Sequence, residues 1–261
     1  MKTQLKIWLL LSITLIMVSV YALIPGQISL GSFSLVKADY ESVCSPPEES
    51  LPPILSDSLE QMSQTVADTC RTDTARQRIL FLGDSMVEGL CRQMGRYAEE
   101  NGHKLTSIVW YSSSTQLWAE SDTLQHFLKT ENPSFVMICL GGNELSVRDL
   151  DRRKKHIYTI TRKLGDLPYV WIGPPNWKKD TGINKLIEEQ VESSRFFDSQ
   201  HLVLERRKDR MHPTYAAAAQ WMDSIAVWMS GSKTRHPIRM NHPAPSTQRK
   251  NKLIILAPPN L

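Results

Sequence analysis

The sequence predicts an α/β fold: a doubly wound, mostly parallel sheet of five strands with helices on both faces, preceded by an N-terminal apolar anchor. Two observations predict the sheet. From Arg78 onward, short apolar runs alternate with stretches of helical period, the mark of parallel βαβ units. The runs are continuous rather than alternating, as strands buried on both faces must be. A third observation gives the anchor: Lys2 and Lys6 are followed by an uncharged apolar run over residues 7–25.

That run is near the lower limit for a spanning helix and slightly long for the core of a signal peptide. Residues 1–25 are therefore read as a signal anchor or a signal peptide. Val20-Tyr21-Ala22 offers a cleavage site, and the uncleaved anchor is favoured. Lys2 and Lys6 keep to the cytoplasmic side. The rest of the chain then faces the periplasm or another extracytoplasmic space, tethered to the membrane, or secreted if cut. Residues 26–76 read as a Pro- and Ser-rich linker, extended around Pro46-Pro47 and Pro52-Pro53, with a short helix over 56–68. Within that linker Cys44 and Cys70 flank a Pro- and Ser-rich stretch and could close a loop in an oxidising compartment. Cys139 reads as a small buried hydrophobe, and the pairing of Cys91 is open.

The domain spans 77–232. Its first strand, 79–82, runs into Gly83-Asp84-Ser85 and then a helix with the stripe Met86, Leu90, Met94 and Tyr97, stopped at Asn101-Gly102. A second strand over 105–111 leads to a helix over 117–128. The third strand, 135–140, ends at Gly141-Gly142. A charged helix over 147–164 carries Arg152, Arg153, Lys154 and Lys155 on a solvated face. A fourth strand at 169–172 stops at Gly173-Pro174-Pro175. A helix over 183–191, a short fifth strand at 201–204 and an Ala-rich helix over 215–229 complete it. Residues 233–261 read as a loosely ordered tail, in which 253–256 offers an edge strand limited by Pro258-Pro259.

Three short blocks carry the chemistry. Ser85 sits where a buried strand turns into a helix, at the sheet edge where open α/β folds place ligands. Alone it reads as a helix N-cap. Asn143, in Gly141-Gly142-Asn143-Glu144, adds an amide donor at the end of another strand. Asp209 and His212 supply a carboxylate and an imidazole three residues apart. With these, Ser85 becomes a nucleophile whose proton His212 can accept, while Asp209 fixes the ring's tautomer. In this order and at these strand ends, the blocks resemble those of the SGNH/GDSL hydrolase family of esterases and acyl hydrolases, over roughly residues 76–230.

The resemblance implies a flavodoxin-like three-layer sandwich and an acyl-enzyme on Ser85. It also implies an oxyanion hole from the Ser85 N–H, the Asn143 side chain and a main-chain N–H after the second strand. The family has glycine at that last position; here the loop reads Ser112-Ser113, and the N–H of Ser112 or of Ser113 could substitute, Ser112 being the one put forward. Glu144 stands where the family usually has Asp, and is read as holding its loop. Asp84 is read as a turn residue and not the triad acid. Trp118 and Trp177, near strand ends, are candidate sugar-stacking platforms beside the commoner packing role.

The net charge of +4, with basic and acidic residues interspersed, does not argue for nucleic acid. No Gly-rich phosphate loop and no Cys/His cluster of ligand spacing is present, so neither metal nor cofactor is expected. The expected activity is hydrolysis of small acyl esters, acetyl above all, on extracytoplasmic carbohydrate. Two alternatives stay open. One is acyl transfer to a sugar through the same triad, with a membrane acyl-transfer partner; the other is a silent glycan-binding domain.

Overall fold

The structure, a computed structural model, describes residues 72–258, the segments 27–30 and 33–36, and Ser12. The chain divides into two units, Met1–Asp57 and Ser58–Leu261. In the first, strands β1 (Gln27–Leu30) and β2 (Phe33–Val36) pair antiparallel, with Leu30 opposite Phe33. Apart from Ser12, the apolar run 7–25 lies outside the described residues, as do the helix expected over 56–68 and both Cys44 and Cys70. Among the described residues no helix is long and apolar enough to cross a membrane.

The second unit holds a six-stranded, all-parallel sheet of β3 (Arg78–Gly83), β4 (Lys104–Trp110), β5 (Phe135–Cys139), β6 (Tyr169–Ile172), β7 (Phe196–Phe197) and β8 (Lys252–Leu256). The spatial order is β7-β6-β5-β3-β4-β8. The chain steps from β3 to β4 on one side and then returns to β5 on the other. The C-terminal end of β3 is thus the switch point where doubly wound sheets open a crevice.

Two apolar layers flank the sheet. On one face Ile79, Phe81, Met137 and Ile172 meet helices α1 (Met86–Asn101) and α6 (Tyr215–Ser230) through Leu90, Met94, Trp221 and Ile225. On the other, Leu80, Leu82, Ile138 and Trp171 meet α2 (Thr115–Glu120), α3 (Thr123–Glu131), α4 (Leu150–Leu164) and α5 (Ile183–Val191). Neighbouring strand residues feed opposite layers, so continuous apolar runs were required. Helix α1 stops where its sequence says: Gly102 adopts φ 71° and returns its N–H to the last-turn carbonyls.

The structure departs from expectation in four places. The sheet has six strands, because Lys252–Leu256 of the supposed loose tail pairs in register with β4. The preceding residues are also anchored: Ile238 and Met240 are buried in the α1/α6 layer, and Asn241 bonds Asn101. The edge strand beyond β6 is Phe196–Phe197, not 201–204. Phe196 is buried, whereas Asp198 accepts from the Gln200 N–H in a turn and Val203 is fully exposed. The helix expected over 117–128 is two helices. Lys163 Nζ donates to the carbonyls of Trp118 (3.3 Å), Ala119 (2.7 Å) and Ser121 (2.7 Å), which satisfies the end of α2 and lets the chain turn. Finally, Arg153 leaves the solvated face of α4 and lies 3.1 Å from buried Glu144.

The tightest point of the core is where β3 meets β5. A Cβ on Gly83 would lie 2.0 Å from the Cys139 carbonyl oxygen and 2.9 Å from Val87. Because the obstacle is backbone in a central strand, Gly83→Ala is expected to cost about 3 kcal/mol, read as a fall in urea midpoint. An unchanged midpoint would show that β5 can yield there.

Candidate active site

The turn after β3 frees Ser85 instead of using it as a cap. Asp84 N–H donates to the Cys139 carbonyl (3.1 Å), and Asp84 Oδ1 accepts from the Met86 N–H (2.9 Å). Helix α1 is therefore capped by Asp84, and Ser85 makes no side-chain capping bond although it holds the N-cap position. Asp84 is the turn residue the sequence suggested. Burial, followed by the charge of nearby Glu144, pushes its carboxyl up to about 7. The Met86 N–H, and more weakly that of Gly142, offset part of this. Asp84 Oδ2 is buried without a hydrogen-bond partner.

His212 reaches Ser85 from a small ribbon. Arg206 and Pro213 form an antiparallel bridge, the Arg207 N–H donates to the His212 carbonyl (2.8 Å), and the Thr214 N–H donates to that of Glu205 (2.8 Å). Arg210, with φ 59°, turns the tip. Asp209 Oδ1 accepts from the N–H groups of Met211 (2.8 Å) and His212 (2.9 Å), an Asx-type turn that aims the carboxylate at the ring. Asp209 Oδ2 then lies 2.9 Å from His212 Nδ1, and His212 Nε2 lies 2.8 Å from Ser85 Oγ. A carboxylate accepts at Nδ1, so that nitrogen carries the proton and Nε2 is left to accept from the serine hydroxyl. The bond from His212 and the two N–H groups hold the Asp209 carboxyl well below the usual carboxylate range.

The remaining predicted residues fall on two loops. Asn143 lies in the short 3₁₀ turn Gly142–Glu144 after β5 and donates one amide hydrogen to the Ser113 carbonyl (2.8 Å), leaving its second free. Ser112 takes the left-handed conformation (φ 59°) that favours glycine. Among the described residues no acceptor takes the backbone N–H of Ser85 or Ser112. Glu144 holds the two loops together by accepting from the Thr115 N–H (2.8 Å) and hydroxyl (2.7 Å). The contact of its Oε1 with Arg153 Nε is an ion pair without hydrogen-bond alignment. Burial raises the Glu144 carboxyl.

The tryptophans part company. Trp118 is wholly buried, its indole N–H donating to Ser113 Oγ (3.0 Å), so it has no face to offer a sugar; that expectation is corrected. Trp177 is partly exposed beside the Gly142–Glu144 turn, its N–H on the Gly142 carbonyl (3.1 Å). Lys178 covers one face of its ring, 4.5 Å from the centroid. Cys91 and Cys139 are free and buried, and burial pushes their thiols up.

Two arginines beside Asp209, not singled out from the sequence, hold the ribbon. Arg206 donates to the carbonyls of Met211 and Asn176, and Arg207 Nε to that of Pro213 (3.2 Å). Their clustering around Asp209-Met211-His212 was the one available signal. Among the described residues no group of three or more His, Cys, Asp or Glu side chains is placed to hold a metal ion.

No protein-family model matches the chain, and no curated protein sequence matches it. Among solved structures, one described as the crystal structure of TesA aligns at 17% identity and a TM-score of 0.47, covering 59% of this chain and 98% of that one. Another, described as BT4096, a gut microbial diltiazem-metabolizing enzyme, aligns at 14% identity and a TM-score of 0.42. It covers 60% of this chain and 48% of that one.

The raised Asp84 carboxyl has a sign that can be tested. An unfolded Asp titrates near 3.9, so the fold prefers the protonated acid. Its contribution is full below about pH 4 and is lost as pH rises through about 7. Asp209 acts in the opposite sense, and only as pH falls below the ordinary carboxylate range. Asp84→Asn keeps an oxygen for Met86 and cannot ionise. Relative to wild type it should gain stability between pH 4 and 7, by up to about 4 kcal/mol, then level off. Urea denaturation over a pH series measures this; a difference that stays flat means Asp84 is ionised throughout.

Proposed function

We propose that this chain is a serine hydrolase of SGNH type that cleaves esters through an acyl-enzyme on Ser85. The observation that carries the reading is the unbroken line from Asp209 through His212 to Ser85 Oγ, with links of 2.9 and 2.8 Å. Those distances lie within the reach a general base needs. In the reading, Oγ attacks the ester carbonyl carbon as its proton passes to Nε2, and the carbonyl electron pair moves onto oxygen. The oxyanion is met by the Ser85 N–H, the free amide hydrogen of Asn143 and the Ser112 N–H. Collapse restores the carbonyl and expels the alcohol, which takes the proton from His212. Water repeats the sequence and releases the acid. Asp209, held ionised, stabilises the imidazolium in both halves.

The finer reading is an outward-facing esterase for acetyl or other small acyl groups on carbohydrate, tethered by its N-terminus. It is supported by Lys2 and Lys6 ahead of the apolar run. Trp177 is the surviving candidate for contact with a sugar.

Full-length protein treated with a fluorophosphonate should be labelled on the peptide carrying Ser85, and Ser85→Ala should abolish both labelling and acetate release from 4-nitrophenyl acetate. Asn143→Ala should lower kcat on the order of a hundred- to a thousand-fold. Labelling elsewhere, or ester hydrolysis that survives Ser85→Ala, would end the proposal.

A further inference from the structure

One carboxylate outside the line of Asp209, His212 and Ser85 reaches three of the segments that the proposed chemistry uses: the Ser85 helix, the Ser112 loop and the His212 ribbon. Glu88 lies one turn along α1 from Ser85, its N–H donating to the Ser85 carbonyl (3.2 Å). Its Oε2 accepts from the Tyr111 hydroxyl (3.2 Å), and Tyr111 directly precedes Ser112. Its Oε1 accepts from the Tyr215 hydroxyl (3.2 Å), and Tyr215 opens α6 three residues after His212. Arg207 Nη1 lies 4.0 Å from Oε2, and the same arginine bonds the His212 and Pro213 carbonyls through its N–H and Nε. The Tyr215 ring is held in turn by two guanidinium groups, Arg92 at 3.8 Å and Arg207 at 4.3 Å from its centroid.

The geometry points to Glu88 as a positioning residue that keeps the Ser85 helix, the Ser112 loop and the His212 ribbon in register. The need for one follows from the architecture. Ser85 is fixed by the central strand, but His212 stands on a ribbon tip of irregular structure, and Asp209 beside it is about half exposed. Proton transfer requires Oγ and Nε2 to stay within hydrogen-bond reach, and misplacement by about 1 Å costs about a hundredfold in rate. Tyr111 and Tyr215 approach Glu88 from the Ser112 loop and from the start of α6 just after His212, so the carboxylate works as a shared acceptor between them. Each bond is partly exposed and weak singly. Their value lies in converging on one group next to the nucleophile.

The inference rests on the Ser85 hydrolase reading for its catalytic consequence, and on geometry alone for the rest. Three full-length variants test it: Glu88→Ala, Glu88→Gln, which keeps an acceptor for one phenol, and the double variant Tyr111→Phe with Tyr215→Phe. With 4-nitrophenyl acetate, Glu88→Ala and the double variant should lose about ten- to a hundredfold in kcat with KM within about twofold. Glu88→Gln should recover part of the loss. Ring ¹⁵N resonances of His212 give a readout independent of turnover: Nε2 should shift toward free imidazole in Glu88→Ala. An unchanged kcat together with unchanged His212 resonances overturns the proposal. So does a loss of kcat that only tracks a lowered melting temperature and is not relieved by Gln. If wild type hydrolysed no ester while His212 still responded to Glu88→Ala, the positioning role would stand and the hydrolase reading would fall.

Discussion

The arrangement depends on how closely the ends of β3 and β5 approach. Because residue 83 has no Cβ, the Cys139 carbonyl can sit against the chain there and accept the Asp84 N–H. That bond sets the turn, and the turn decides what each polar group does. Asp84 takes over the capping of α1, which releases the Ser85 hydroxyl from the use a serine at a helix start ordinarily has. The cost is a carboxylate buried with one oxygen unmatched. The core meets that cost mainly by raising the group's proton affinity, with the Gly142 N–H giving only a weak offset.

Around this fixed point, the site is assembled from parts of unequal rigidity. Ser85 and the Asn143 turn follow central strands whose side chains fill both apolar layers. The ribbon bearing Asp209 and His212 belongs to no strand of the sheet; Leu204 and Met211 rest against the α1/α6 layer, and polar ties do the rest: Arg206 to Met211 and Asn176, Arg207 to His212 and Pro213, and Glu205 to Thr214. A ribbon held in this way can sit over the sheet edge without burying a second core. Its accuracy then depends on geometry more than on area, and so on arginines, whose planar forks reach several carbonyls at once.

The layers, the parallel strands and the three chemical blocks were legible because each is a local pattern. Continuous apolar runs mark strands buried on both faces, and Gly102 marks a helix end wherever it packs. What escaped was set by distant partners. Nothing within residues 117–128 says that Lys163, some forty residues on, will end α2 at Glu120. The 252–256 run becomes a strand only because β4 presents an unpaired edge, and the choice of 196–197 over 201–204 reflects which apolar pair fits beside β6. Trp118 misled for a related reason. Its position near a strand end suggested access, but the Ser113 hydroxyl draws its indole inward.

Ser112 shows how a backbone shape that suits glycine can be imposed on a residue with a Cβ. A left-handed conformation at a residue with a Cβ costs about 1–2 kcal/mol, and glycine would avoid that cost at this position. The loop keeps the conformation because its neighbours are over-determined. The Ser113 carbonyl is taken by Asn143, its hydroxyl by Trp118, and Thr115 by both oxygens of Glu144. Before the turn, Trp110 is held by its pairing with Leu256 and by its indole N–H on the Ala257 carbonyl (2.9 Å), so the chain between these fixed points passes through φ 59° at Ser112. Among the described residues no acceptor takes the N–H of that residue, so the main-chain donor is available there whichever side chain the position carries.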